Sequence, residues 1–71
     1  MDRQRVSSSN VASVGYDPDT QTLEVEFNSG SIYEYYNVPK DVHEGLMNAP
    51  SHGQYLNARI KKGGYKYKQT R

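Results

Sequence analysis

Leu23-Glu24-Val25-Glu26-Phe27-Asn28-Ser29-Gly30-Ser31-Ile32-Tyr33-Glu34-Tyr35-Tyr36 decides the fold of this chain. From Leu23 to Phe27 apolar and acidic residues alternate without a lapse. A two-residue period of this kind marks a strand with one face buried and the other wet. Asn28-Ser29-Gly30 then carries hairpin chemistry, with Gly30 supplying the positive φ a tight turn needs. Ser31 to Val38 is the return strand, with Tyr33 and Tyr35 on one face and Ile32, Glu34 and Tyr36 on the other. Tyr33 and Tyr35 are expected to point inward, leaving Tyr36 partly exposed near Glu34.

Upstream, Val11-Ala12-Ser13-Val14-Gly15-Tyr16 reads as a first strand, with Ala12, Val14 and Tyr16 sharing a face. Asp17-Pro18-Asp19-Thr20 joins it to the second, proline presetting φ and Asp17 able to bond the backbone ahead. Such short connections admit only an antiparallel meander. Downstream, Pro39 suits the first turn of a helix. Asp41 and Glu44 lie near the positive end of its dipole, and Val42, Leu46 and Ala49 recur at helical spacing. Pro50 closes this helix. Ser51 and Gln54 fit a capping box opening a second helix through Tyr55, Leu56, Arg59 and Ile60, and Gly63-Gly64 stops it. Tyr65-Lys66-Tyr67-Lys68 alternates ring and cation, as a short edge strand or an ordered arm would. The expected class is α+β: a three-stranded antiparallel meander, two short helices packed on one sheet face, and a short C-terminal strand. Residues 1–9 are read as a flexible segment, 10–68 as the single domain and 69–71 as a tail.

Seventy-one residues bury only about 60% of the surface the unfolded chain exposes. One core of that size supplies roughly 3–5 kcal/mol of net stability, which leaves little to sustain a deep cleft of desolvated charges. The chain has no cysteine, which excludes disulfides, thiolate metal sites and cysteine nucleophiles. No apolar run nears the roughly 18 residues of a membrane span. The charged start, Met1-Asp2-Arg3-Gln4-Arg5-Val6, leads into Ser7-Ser8-Ser9-Asn10 rather than an apolar segment, unlike a signal peptide. A soluble cytoplasmic protein is expected, in the host cytoplasm if the source is viral.

Net charge is only +1, yet the layout is lopsided. Asp17 to Glu44 holds seven acids against Lys40 alone, and Arg59 to Arg71 holds six bases and no acid. That asymmetry points to a polyanion or an acidic partner surface, or else to a solvated tail.

Nothing in the sequence assembles a catalytic centre. His43 and His52 are nine residues apart and straddle a helix break, so no helical metal pair is available. Both are expected as exposed helix-end residues, with His52 neutral. No nucleophile elbow frames a serine. Glu24 and Glu26 share a wet strand face, better read as solvated than as an acid–base pair. Gly63-Gly64 follows a helix and therefore lacks the geometry of a phosphate-cradling loop. The chain is read as non-catalytic, without cofactor or metal.

Seven tyrosines stand beside one phenylalanine and no tryptophan. Tyrosine is chosen over leucine where one end of the ring stays wet or meets a polar partner. Rings interleaved with cations suit single-stranded nucleic acid, where stacking contributes about 1–3 kcal/mol per base. The candidate contact surface is Arg59, Lys61, Lys62, Lys66 and Lys68 for charge, joined by Arg3 and Arg5, with Tyr65 or Tyr67 for stacking. Ser51, Gly53 and Asn57 would add hydrogen bonds at a helix start. The rival reading is a viral or bacterial accessory protein that binds a protein partner or sequesters a small nucleotide. An open edge strand would also allow pairing with a second copy.

The chain resembles the KTSC domain, found at the C-terminus of some lysyl-tRNA synthetases and as stand-alone bacterial and viral proteins. The resemblance runs from about Val6 to Tyr67. It rests on Ser8-Ser9-Asn10-Val11, Gly15-Tyr16-Asp17, Leu23-Glu24-Val25-Glu26-Phe27 with Gly30, the hallmark Tyr33-Glu34-Tyr35, Val38-Pro39, and Ser51-His52-Gly53-Gln54-Tyr55-Leu56-Asn57 ending at Ile60. His52 stands where a lysine is frequent and Leu56 where an aromatic is frequent. The resemblance implies the fold above and an RNA-binding role suggested by the synthetase context.

Overall fold

In the computed structural model, residues 2–71 are described. Five antiparallel strands form one sheet in chain order: β1 (Arg3–Arg5), β2 (Val11–Asp17), β3 (Thr22–Phe27), β4 (Ile32–Tyr35) and β5 (Tyr67–Gln69). Helix α1 (Lys40–Asn48) and helix α2 (His52–Tyr55), which continues into a π-helical turn over Leu56–Lys61, are inserted between β4 and β5. They cover one face of the sheet.

The central hairpin forms as its alternation dictates. Leu23 pairs with Tyr35, Val25 with Tyr33, Glu24 with Glu34 and Glu26 with Ile32. Gly30 sits at φ 97° and donates its N–H to the Phe27 carbonyl at 2.9 Å. In the preceding turn the Asp17 carboxylate accepts from the Asp19 amide at 3.0 Å. Tyr33 and Tyr35 do face the helices, Tyr35 being only 3% exposed. Tyr36 is half-buried on the opposite face and donates its hydroxyl to Glu34 at 3.0 Å.

Three details differ from the sequence reading. In β2, Val11 pairs with Phe27 and Ser13 with Glu26, so a β-bulge at Ala12 interrupts the alternation. The extra residue turns Val11 inward beside Val14 and takes Ala12 out of the core face. Arg3–Arg5, placed in the segment expected to fray, forms strand β1 against Ser13–Gly15. Its Arg3 guanidinium reaches across β2 to Glu24 at 3.0 Å. At the other end, residues beyond 68 are not a free tail: Gln69 pairs with Tyr33, and the Thr70 amide donates to the Ile32 carbonyl at 2.7 Å.

The core unites the inward strand residues with the helical stripe. Leu23, Val25, Val38, Leu46 and Ile60 are fully buried, joined by Val11, Val14, Tyr35 and Leu56. Ser51 caps α2 as its position suggests, accepting from the Gln54 amide at 3.3 Å. The two histidines are half-buried rather than exposed. His52 Nδ1 lies 2.9 Å from the Leu46 carbonyl, tying the two helices together. His43 stacks on Tyr16 with ring centroids 4.6 Å apart and planes within 8°, while the Tyr16 hydroxyl donates to the Val38 carbonyl. No helix among the described residues is long and apolar enough to cross a membrane.

Two outcomes follow from this packing. Leu46→Ala should cost about 2–5 kcal/mol, comparable to the whole net stability of a domain this size. Far-UV circular dichroism should therefore find the variant largely unfolded at 25 °C, whereas an unchanged urea midpoint would contradict the packing. Burial holds His43 below its ordinary pKa of 6.5, opposed by the Glu44 carboxylate. The unfolded chain then binds the proton more readily, so the stabilisation is full above pH 6.5 and is lost as pH falls through the folded value. Relative to His43→Phe, the wild-type urea midpoint should drop progressively below pH 6.5.

Candidate functional site

The strand register sorts the surface chemistry by face. Glu24, Glu26 and Glu34 all lie on the face away from the helices, because each is out of phase with Leu23, Val25, Tyr33 and Tyr35. The chain ends bring cations to that acidic face. Arg3 bonds Glu24 at 3.0 Å and Arg71 bonds Glu26 at 3.4 Å, while Lys68 sits directly opposite Glu34.

On the helix side the rings gather at one end of the sheet. Tyr33 and Tyr35, two residues apart on β4, have centroids 6.3 Å apart and planes 20° from parallel. Tyr67 of β5 tilts over both, 5.9 Å from Tyr33 and 5.8 Å from Tyr35. Phe27 closes the group edge-on to Tyr33 at 5.8 Å. These four rings wall a pocket of about 390 Å³, rimmed by the hydroxyls of Ser29 and Ser31. Burial first, then the neighbouring Tyr33 and Tyr67, pushes the Tyr35 phenol above its usual pKa, so it stays protonated at neutral pH. Among the described residues the one charged side chain at the pocket is Lys61, whose ammonium is 5.0 Å from the Phe27 centroid.

Lys61 also walls a second, polar pocket of about 330 Å³. Ser9 and Asn10 line it from the loop before β2, and Ser51, Gln54 and Asn57 from the helix opposite, over Leu56. The loop is held by Ser8, whose hydroxyl donates to the Asn10 carboxamide at 3.2 Å and accepts from the amides of Asn10 and Val11. Gly53 permits this approach: a Cβ there would overlap the Asn10 carboxamide. The π-helical turn places Lys61 between the two pockets. Its wider repeat appears in the bond from the Lys62 amide to the Asn57 carbonyl, five residues back, at 3.3 Å.

The residues singled out from the sequence thus divide. Ser51, Gly53, Asn57 and Lys61 meet at the polar pocket, and Lys61 and Tyr67 at the aromatic one. Lys62 is exposed just after the π-helical turn. Arg59 lies over the Tyr55 ring at 5.9 Å, on a separate groove with Ala49 and Pro50. Tyr65 is half-buried against the core, and the carbonyl of Lys66 accepts from the Tyr36 amide at 2.9 Å, which anchors the arm to the sheet. Lys68, Arg3 and Arg5 fall on strands whose register sets them with the acidic face. Phe27, Ser9 and Asn10 were not among the sequence candidates. Ser8-Ser9-Asn10, one of the stretches that carry the family resemblance, is the signal for the last two; for Phe27 there is none beyond its place in an alternating strand. Among the described residues no cluster of three His, Asp or Glu side chains could hold a metal ion.

The KTSC domain family matches residues 7–67, and the chain belongs to it. A KTSC domain protein from Yersinia pestis has a crystal structure that superposes with a TM-score of 0.92 at 38% identity, covering 99% of this chain and 97% of that one. A protein of Stutzerimonas stutzeri is 45% identical over 94% of each chain. A lysine–tRNA ligase of Nostoc sp. is 61% identical over 54 residues, which are 76% of this chain and 9% of the ligase. The chain therefore spans about a tenth of the length of the ligases it matches.

The contact between Gly53 and Asn10 gives a direct check. Gly53→Ala should lower stability by about 1–3 kcal/mol through overpacking. Adding Asn10→Ala should recover most of that loss, and a double-mutant cycle in urea measures the coupling.

Proposed function

We propose that this chain is a non-catalytic binding module for single-stranded nucleic acid, RNA foremost, and that the helix side of the sheet is its contact surface. The observation that carries the reading is the cluster of Phe27, Tyr33 and Tyr67 over the buried Tyr35, with Lys61 at its edge and no carboxylate among the described residues that line it. Every nucleobase has a π-face, so rings that remain accessible accept bases with little regard to sequence. Tyr67, 64% exposed at the pocket mouth, is the ring best placed for this. Lys61 and the adjacent Lys62 would meet the phosphates, as mobile point charges rather than a rigid fork. The lysine–tRNA ligase relatives act on tRNA, and an RNA-facing role for the shared segment fits that setting.

The test is a titration of fluorescently labelled single-stranded RNA at two salt concentrations. Two phosphate contacts give a log–log salt slope of about −1.4, so affinity should fall about sevenfold between 50 and 200 mM salt. Tyr67→Ala should weaken binding at both salts, by about 5-fold or more if one base stacks there. Absence of binding at the lower salt, or binding indifferent to salt, would overturn the reading and favour a protein partner.

A further inference from the structure

The two pockets share one side chain, and that sharing has a chemical meaning. The aromatic pocket offers flat apolar walls, the polar pocket offers hydroxyls and carboxamides, and Lys61 borders both. At about 390 and 330 Å³, each alone is near the lower limit of the roughly 300–1,000 Å³ of ordinary ligand sites. We infer that they are halves of one site for a single nucleotide unit with an unpaired base. The base lies against Tyr67 and Tyr33, with the buried Tyr35 behind them, its phosphate lies among Ser9, Ser51 and Asn57, and the Lys61 ammonium stands between them. This rests on the nucleic-acid reading above and deepens it.

Charge decides the sign of the ligand. Among the described residues neither pocket is lined by an Asp or Glu, although seven of the eight acids lie between Asp17 and Glu44. Aromatic walls by themselves would also suit an organic cation. Here the Lys61 ammonium already occupies that role, 5.0 Å from the Phe27 centroid, and a second cation beside it would be repelled. An aromatic group joined to an anion satisfies both halves. The polar half is equipped accordingly: Ser51 spends an acceptor lone pair on the Gln54 amide and keeps its O–H to donate, while Ser9 and Asn57 are exposed at the pocket. The pocket form also selects against duplexes. A paired base has its faces covered by stacked neighbours and its edge by its partner, so only an extruded or single-stranded base can enter between Tyr67 and Phe27.

The chain contains no tryptophan, so its intrinsic fluorescence is that of tyrosine and three of the rings that report it wall the site. The experiment titrates the full chain, by this fluorescence and by calorimetry, with adenosine 5′-monophosphate, adenosine, ribose 5-phosphate, a short single-stranded oligoadenylate and the matching duplex. The monophosphate or the single strand should bind about 10-fold or more tightly than ribose 5-phosphate, in line with the stacking contribution of one base, and should also outbind adenosine, which lacks the phosphate, and the duplex, whose bases are paired. Lys61→Ala and Asn57→Ala should erase the advantage over adenosine, and Tyr67→Ala the advantage over ribose 5-phosphate. All three positions are exposed, so circular dichroism should show the variants folded. Binding of the oligonucleotide alone with this mutational pattern assigns the site to a strand, and binding of the monophosphate assigns it to a free nucleotide; both support the inference. If the single strand binds but Lys61→Ala and Asn57→Ala weaken it no more than Lys40→Ala on α1, the shared site is overturned while the broader reading stands. If no nucleotide or strand binds, both fall.

Discussion

Leu23 opposite Tyr35 and Glu24 opposite Glu34 are two consequences of one hairpin register, and the rest of the molecule is arranged around them. The first pairing builds the floor on which α1 and the π-helical turn settle. The second sets two carboxylates side by side, an arrangement that is unfavourable in isolation. Relief comes from the ends of the chain, with Arg3 on one flank and Lys68 and Arg71 on the other. Each exposed ion pair contributes only about 0–1 kcal/mol. Their importance is positional: they give polar, three-residue strands a reason to pair at the two edges of the sheet.

The same register separates two electrostatic environments across one layer of backbone. Glu24, Glu26 and Glu34 occupy the open face, and Phe27, Tyr33, Tyr35, Tyr67 and Lys61 the covered one. A polyanion approaching the helix side meets Lys61 and Lys62 without a carboxylate among the described residues lining either pocket. The cationic C-terminal stretch does not act as a single arm, since Tyr67 serves the aromatic pocket while Lys68 and Arg71 serve the acidic face.

Much of this was legible in the residues. The alternation at Leu23–Phe27, the Gly30 turn and the Ser51 cap are local signals, and local signals survive folding. What could not be read depends on contacts distant in sequence. The bulge at Ala12 is visible only once Val11 is set against Phe27. Arg3-Gln4-Arg5 has no strand pattern of its own and pairs because Glu24 lies two strands over. The histidines looked exposed because nothing local announces the Tyr16 stack or the Leu46 carbonyl. For the site, Lys61, Tyr67, Ser51, Gly53 and Asn57 were identifiable by residue type, but their convergence needed the helices folded back over β4. Phe27, Ser9 and Asn10 joined them only through that closure.

The π-helical turn at Leu56–Lys61 can be regarded as an α-helix that has accommodated one surplus residue. Removing one position between Leu56 and Ile60 would restore ordinary α-helical spacing and leave the residues beyond it close to their present facing, because the wide turn already absorbs the extra residue. Keeping every residue but closing the turn to α-helical spacing would instead carry Lys61 about 100° around the helix axis, away from the boundary between the pockets. The wide turn, as much as residue identity, therefore sets where Lys61 stands relative to the two pockets.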